Sequence, residues 1–541
     1  MLLFTLMKLD LDMNNSFRLI LIISCLIGKG TKETIIQHES NIINSTNLKN
    51  IDVFKIKTHS FKFSWEEISR TKNEYIGLVG VQYILNSFIY SNSYIGIGGY
   101  GALTGDRGGF FTAGLMPGLN ISFRDNLTLD LGLFIGGGGG AGAFPGNGEM
   151  IRAHLYFGRK INQYVGWIGF SSSYISGKKI GNKYSIAITR SIPFFEHISF
   201  SQKSSVPIPN IKFRSYNIAV TPSISFYGIP NRIVGRDFNP LNKRIPLSGS
   251  DLEKKIGEKL NFVFSLFGAS GGNAVGYGKI MFGLGYPVFI SRHLNLHSYF
   301  QLGMSGGGNI DTGGGFIYRS SFRLSYPLTK SISFQGFYGI INAPNGSFNA
   351  TFFGTGILMH KNLLEPILEY QIKNKTLVSL PSRLFSKFPF KWHVGNKIVI
   401  PKKSLKEING KPYKNLLNSI SLGIEIPMNN KINLLSVTYW AYSGDIGAYA
   451  EGCFGLNTNI IKIGDFYIGG QSEIGAAGGG GVNANNGIFH QHTINAAYPL
   501  NLNNRIKLRI GWQRRFHKES LSGIVGVIEY EFLGALIINK E

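Results

Sequence analysis

His490 and His492 stand two residues apart, and on an extended chain that spacing puts both imidazoles on one face, where a pair can begin to chelate a metal ion. No equivalent pair recurs in the related segments described below. A place at the lumen or rim of a sheet accounts for the spacing without a metal. His293 and His297 would also share a strand face, flanking the turn into a regular strand, and are read as structural. Three glycine-rich patches, at 135–140, 304–309 and 476–481, offer consecutive backbone N–H groups that can form anion-binding nests. None is followed by a helix and a Lys-Ser/Thr pair, so the patches are read as flexible or closely approaching hairpin loops. No Walker A, HExxH or GxSxG sequence occurs in a supporting context. Catalytic, cofactor-binding and metal residues are therefore assigned to none, and no cofactor is expected.

The elements that position such residues are strands. Leu127, Leu129, Leu131, Leu133 and Ile135 alternate with Thr128, Asp130 and Gly132, the period of two of a half-buried strand. The apolar series predicts one face toward an apolar medium, with Thr128 and Asp130 opposite. Leu294, Leu296, Phe300, Leu302 and Met304 form the same series, as do Phe466, Ile468, Ile474 and Ala476. Behind this likeness stands a threefold repeat. Gly136 lies over Ser305 and Ser305 over Ala477, at offsets of 169 and 172 residues, and the register holds upstream and downstream of the glycines. In each copy a second strand, a short polar turn and a third strand follow; Pro327 and Pro499 fall at strand ends, where a missing donor costs nothing.

Composition narrows the setting. Charged residues make up 16% of the 541, Gly contributes 70 residues and aromatics 13%. Soluble domains carry about 25% charged residues. Past the N-terminus no uncharged run approaches the roughly 18 to 20 apolar residues of a membrane helix. The alternative that satisfies every backbone group in lipid is a closed barrel, whose alternating strands average to a near-neutral mean hydropathy such as +0.04. The net charge of +25 is spread over loops and turns such as Arg159-Lys160 and Lys178-Lys179, without the basic stripe of a nucleic-acid module. No nucleic-acid partner is expected.

From Met13 as a start, a charged segment to Arg18 and the apolar run 19–25 read as an export signal, and the residues before Cys25 resemble a lipobox. The only other cysteine, Cys453, sits among Gly452, Phe454 and Gly455 as a small apolar residue, so no disulfide framework is implied.

The export signal, alternating strands and strand-final aromatics together resemble Gram-negative outer-membrane β-barrel proteins as a class. The segment 526–532, ending in Phe532, is similar to their terminal strand, although nine residues follow it. The resemblance implies an outer-membrane location, with membrane lipid, lipopolysaccharide and the barrel-assembly machinery as partners. The expected organisation is a signal peptide at 1–28, an N-terminal segment at 29–72 and β repeats at 73–205, 206–380 and 381–541. A polar insertion at 229–259 is read as a loop or plug, and proline-bearing stretches near 203–210 and 380–389 as joints. Seven or eight strands per copy predict an all-β antiparallel barrel of roughly 22 to 24 strands, or several smaller barrels in series. The large barrel would be a pore or transport protein for small or anionic solutes. A surface structural or adhesive protein is the rival, and a lipid-processing enzyme, with a scattered Ser/His/acid set, the third reading. No enzyme activity is assigned.

Overall fold

The computed structural model describes residues 51–539 apart from 72–73, 87–89, 125, 141–146, 177, 199–212, 257–258, 367–376, 382–384, 403, 408–409, 414–415, 430, 445, 483–486, 501–503 and 516–520. The signal-like segment with Cys25, and the joint at 203–210, lie outside the described residues.

The alternating segments form antiparallel strands. The first set is β1 (Ile51–Thr71), β2 (Glu74–Asn86), β3 (Ser93–Gly105), β4 (Phe111–Arg124), β5 (Leu127–Gly139), β6 (Glu149–Ile161), β7 (Tyr164–Ile175) and β8 (Lys178–Ile198). These pair in chain order, and β8 returns to β1 through Lys62↔Thr189 and Ser64↔Ala187. The second set is β9 (Phe213–Gly228), β10 (Arg244–Ile256), β11 (Leu260–Ala269), β12 (Gly278–Ile290), β13 (Asn295–Gly306), β14 (Phe316–Pro327), β15 (Ile332–Asn342) and β16 (Asn349–Pro366). It closes through Phe353↔Phe226. A short strand, β17 (Leu377–Pro381), pairs with the start of β1. The third set is β18 (Phe385–Pro401), β19 (Leu417–Pro427), β20 (Ile432–Ser443), β21 (Ala450–Ile463), β22 (Phe466–Gly478), β23 (Ile488–Pro499), β24 (Asn504–Arg515) and β25 (Gly523–Asn539). β25 closes it against β18 through Trp392↔Phe532. The residues after Phe532 continue that strand to Asn539.

The all-β antiparallel fold is as read from sequence, and of its two arrangements the several smaller barrels are the one found. A single wall of 22 to 24 strands does not form. Each copy's last strand has a long register with its own first strand, so every copy satisfies its edges locally. The first barrel draws β1 from 51–71, which the sequence reading leaves in the N-terminal segment. The insertion at 229–259 divides. Ile229, Ile233 and Leu241 pack over Tyr227 and Ile245 as a lid of the second barrel, whereas β10 is a wall strand whose Asp251 and Glu253 are buried. Its carboxylates therefore line an interior and do not belong to a plug.

The glycine patches are seams between barrels. A Cβ on Gly109, in the β3–β4 connection, would lie 2.8 Å from the Cα of Gly306 in the second barrel. The β11–β12 connection meets the third barrel the same way, a Cβ on Gly478 falling 2.7 Å from Gly276 N. The β20–β21 connection returns to the first barrel, where Ala448 N donates to Gly138 O at 2.9 Å. Gly139, at φ +148°, would carry its Cβ 2.5 Å from the Ala448 Cα. Each barrel thus lays the connection between its third and fourth strands on its neighbour's glycine patch, and the contacts close a ring of three. The close approach anticipated for these glycines is real, but it is made by a neighbouring barrel. At the opposite end Leu364 of β16 pairs with Ile537 of β25, and Ala535 of β25 with Phe195 of β8.

Candidate functional site

Strand alternation turns each barrel inside out relative to a soluble one. On β5, Leu127 is 50% and Leu131 37% exposed, while Asp130 between them is 2% exposed and Thr128 is buried. Phe300 on β13, Phe466 and Ile474 on β22, and Ile510 on β24 also point outward. An apolar outer wall around a charged interior is stable only with lipid outside, where closed barrels leave no backbone group unpaired. The chain is a membrane-spanning β-barrel protein.

In the first barrel, Lys62 of β1 reaches across to Asp130 of β5. The other Asp130 oxygen accepts from Tyr94 Oη at 2.7 Å, and His154 Nε2 lies 3.2 Å from the first. Beside them Arg152 Nε donates to both Glu66 oxygens at 2.8 Å, and Ser171 donates to Glu66 at 2.6 Å. The third barrel repeats the scheme with more members. Lys507 donates to Glu425 at 3.0 Å and lies 3.1 Å from Glu531. Arg509 donates to Glu473 at 2.5 Å and to Glu529 at 2.9 Å. Lys397 pairs with Glu451, and Arg515 Nη2 donates to the Tyr449 hydroxyl at 2.6 Å. Desolvating such charges costs several kcal/mol per ion, of the order of what good pairing returns. The removal of Lys62, Arg152, Lys397, Lys507 and Arg509 from water is therefore tolerable because each meets a carboxylate, while Arg515 is held by the Tyr449 hydroxyl and the Gly487 carbonyl.

The second barrel departs from this rule. Arg323 Nη1 takes both carboxylates, Asp251 at 3.0 Å and Glu253 at 3.1 Å. Tyr299 and Ser265 donate to the remaining oxygens. Lys279 donates only to the Tyr227 hydroxyl, at 2.9 Å. Arg319 lies flat on Phe352, 4.1 Å from guanidinium carbon to ring centre, and among the described residues pairs with no carboxylate.

The singled-out residues fall elsewhere. His490 and His492 do come together, Nδ1 to Nε2 at 3.1 Å, but on the outer face, where His492 also meets Ser472 at 2.9 Å. Among the described residues no group of three or more His, Cys, Asp or Glu is gathered as a metal site. His293 is exposed in the β12–β13 turn while His297 turns to the lumen beside Tyr299, so the two do not meet. Cys453 is buried inside the third barrel with Val437 and Tyr439. Arg159 and Lys160 are exposed at a turn end, as read. The interior charges, Asp130 apart, escaped the sequence reading. Their signal was present in the same alternation: Arg152 and His154 fall between Ile151, Ala153 and Leu155.

No protein-family model matches this chain, and no curated protein matches it. Among solved structures, a ferric enterobactin receptor mutant of Pseudomonas aeruginosa in complex with enterobactin aligns with 88% of this chain and 81% of its own. Identity is 8% and the TM-score 0.27. The siderophore receptor PirA from the same organism gives 10% identity over 88% and 80%, TM-score 0.23. The copper transporter OprC gives 9% over 89% and 81%, TM-score 0.26. Likeness at that level supports no inference about what this chain carries or binds.

Proposed function

We propose that the protein is a sealed triple-barrel scaffold of the outer membrane, a surface structural protein that holds its loops in fixed relation. The observation that supports this reading is the charge pairing across each lumen, such as Lys62 to Asp130 and Lys507 to Glu425, in barrels whose eight strands leave an interior just wide enough for side chains to fill. A wide pore of the kind expected from one large wall would need those pairs withdrawn. Lipid and lipopolysaccharide are the partners of the apolar outer walls on this reading. The test is reconstitution in planar bilayers and in sugar-loaded vesicles. Neither porin-sized conductance steps nor sugar release is expected, and sustained conductance from the purified protein would overturn the scaffold reading. A second reading, transport of a small anion, is favoured by one feature alone, the surplus of cations inside the second barrel.

A further inference from the structure

Arg319 and Lys279 are 1% and 2% exposed. Both stand over the same two rings, Phe267 and Phe352, with Arg319 at 5.8 and 4.1 Å and Lys279 at 4.9 and 5.8 Å. Among the described residues no carboxylate joins them, because Asp251 and Glu253 are taken by Arg323. Arg319 Nε and Nη2 are buried without a hydrogen-bond partner. These two nitrogens form one edge of the planar guanidinium, the edge that grips an anion with two parallel N–H groups. The aromatic face satisfies the plane of the cation and leaves that edge open. A guanidinium does not deprotonate in proteins, so the charge has to be met from outside the side-chain set. An unpaired buried donor costs about 1 to 3 kcal/mol, and more when charged.

We propose that the second barrel binds a small monovalent inorganic anion, with chloride as the reference case, at the open edge of Arg319 beside Lys279. The surplus beyond the two carboxylates calls for negative charge, and a filled eight-stranded interior admits only a small ion. In the first and third barrels Lys62, Arg152, Lys397, Lys507 and Arg509 meet carboxylates, and Arg515, stacked on Tyr449 and Phe489, spends Nη1 on Gly487 O and Nη2 on the Tyr449 hydroxyl, where Arg319 leaves Nε and Nη2 open.

The experiment compares unfolding of the full chain in lipid vesicles in chloride and in gluconate at constant ionic strength. An ion that binds the folded state at about ten times its Kd multiplies the folded-to-unfolded ratio roughly tenfold, which sets the size of the shift expected. The dependence should vanish in Arg319→Met and weaken in Lys279→Met. Crystals grown in bromide should show anomalous scattering beside Arg319 in the native protein, which keeps the test decisive if a variant does not fold. Absence of any chloride dependence in the native chain would overturn the site, as would its survival in Arg319→Met or a bromide-free second barrel. Chloride current with the site intact would instead break the scaffold reading and leave the site standing.

Discussion

The second and third barrels share strand number, closure and a glycine seam, yet they solve the burial of charge differently. In the third, Arg509 is held between Glu473 and Glu529, and Lys507 between Glu425 and Glu531. In the second, Arg319 and Lys279 rest on aromatic rings with no carboxylate to answer them. A network whose cations are held between carboxylates is a structural element, because its members offset one another's desolvation. An unsaturated one retains a free-energy deficit that a ligand can remove. Chemistry in this molecule is therefore sought where the pairing fails, and not where the charges are most numerous.

The sharpest way to break that comparison is to remove one cation from each barrel. Arg509→Leu leaves Glu473 and Glu529 short of their shared partner and should cost about 3 to 5 kcal/mol, as breaking a buried pair does. Arg319→Met, measured without chloride, removes a surplus charge and should change stability by less than about 1 kcal/mol or raise it. Urea unfolding of both variants in lipid vesicles decides the matter. Equal losses would show that the two interiors are alike in kind.

The comparison also presumes that charge belongs inside and that lipid lies outside. Leu131→Arg, on the outer face of β5, should cost roughly 2 to 4 kcal/mol near the midplane. Leu127→Arg, on the same outer face but at the turn end of the strand, should cost clearly less. Matching tolerance of the two in the same unfolding assay would remove the membrane from the picture.

How much of this was legible follows from what is local. The alternation of Leu127 to Ile135 and the strand ends at Pro327 and Pro499 depend on near neighbours, and both are found. Closure is not local. That β8 returns to β1, instead of passing the edge to the next copy, rests on pairs such as Lys62 with Thr189, which carry no signature in either strand alone. Asp251 and Glu253 read as a polar excursion because they follow a loop and stand next to Lys254 and Lys255. Their spacing of two, around an exposed Leu252, was the overlooked sign of a strand with carboxylates inside. A related limit applies to His490 and His492. A shared face fixes that His490 and His492 meet, and does not say whether that face looks in or out.

Whether each interior behaves by itself depends on the seams. Gly109→Val would drive a branched side chain into the backbone of Gly306 and should cost about 1 to 3 kcal/mol, the usual penalty for overpacking. Gly526→Ala meets nothing within 4 Å and should be close to neutral. Protease sensitivity of the seam loops, followed alongside the chloride dependence of the second barrel, tests the coupling. A loosened seam with an unchanged dependence is expected, and a lost dependence would mean that the anion site is built by the ring of three and not by one barrel.

The smallest effect belongs to a charge at the loop end of the second barrel, where water is available. Asp311 accepts from Gly313 N at 3.1 Å and from Ser347 N at 3.0 Å, so its carboxylate ties the 307–315 loop to the 343–348 loop. Partial burial pushes its pKa up, but the N–H groups of Ser347 and Gly313 outweigh that and hold it below the ordinary value of 3.8. A carboxyl depressed in the folded state contributes stability above its unfolded pKa of about 3.9, and that contribution is lost as pH falls through the lower folded value. No change is therefore expected between pH 5 and pH 8, roughly a unit or more above both values. Because the group is only half-buried and is held by two backbone N–H groups, Asp311→Asn should cost about 1 kcal/mol or less. Amide hydrogen exchange at Ser347 and Gly313 measures it directly. Faster exchange in the variant at pH 6, with native and variant converging near pH 3, is the expected result. A variant effect at pH 6 that also altered the chloride dependence would show that loop and lumen of this barrel act together, which the separation between Asp311 at its end and Arg319 in its packed interior argues against.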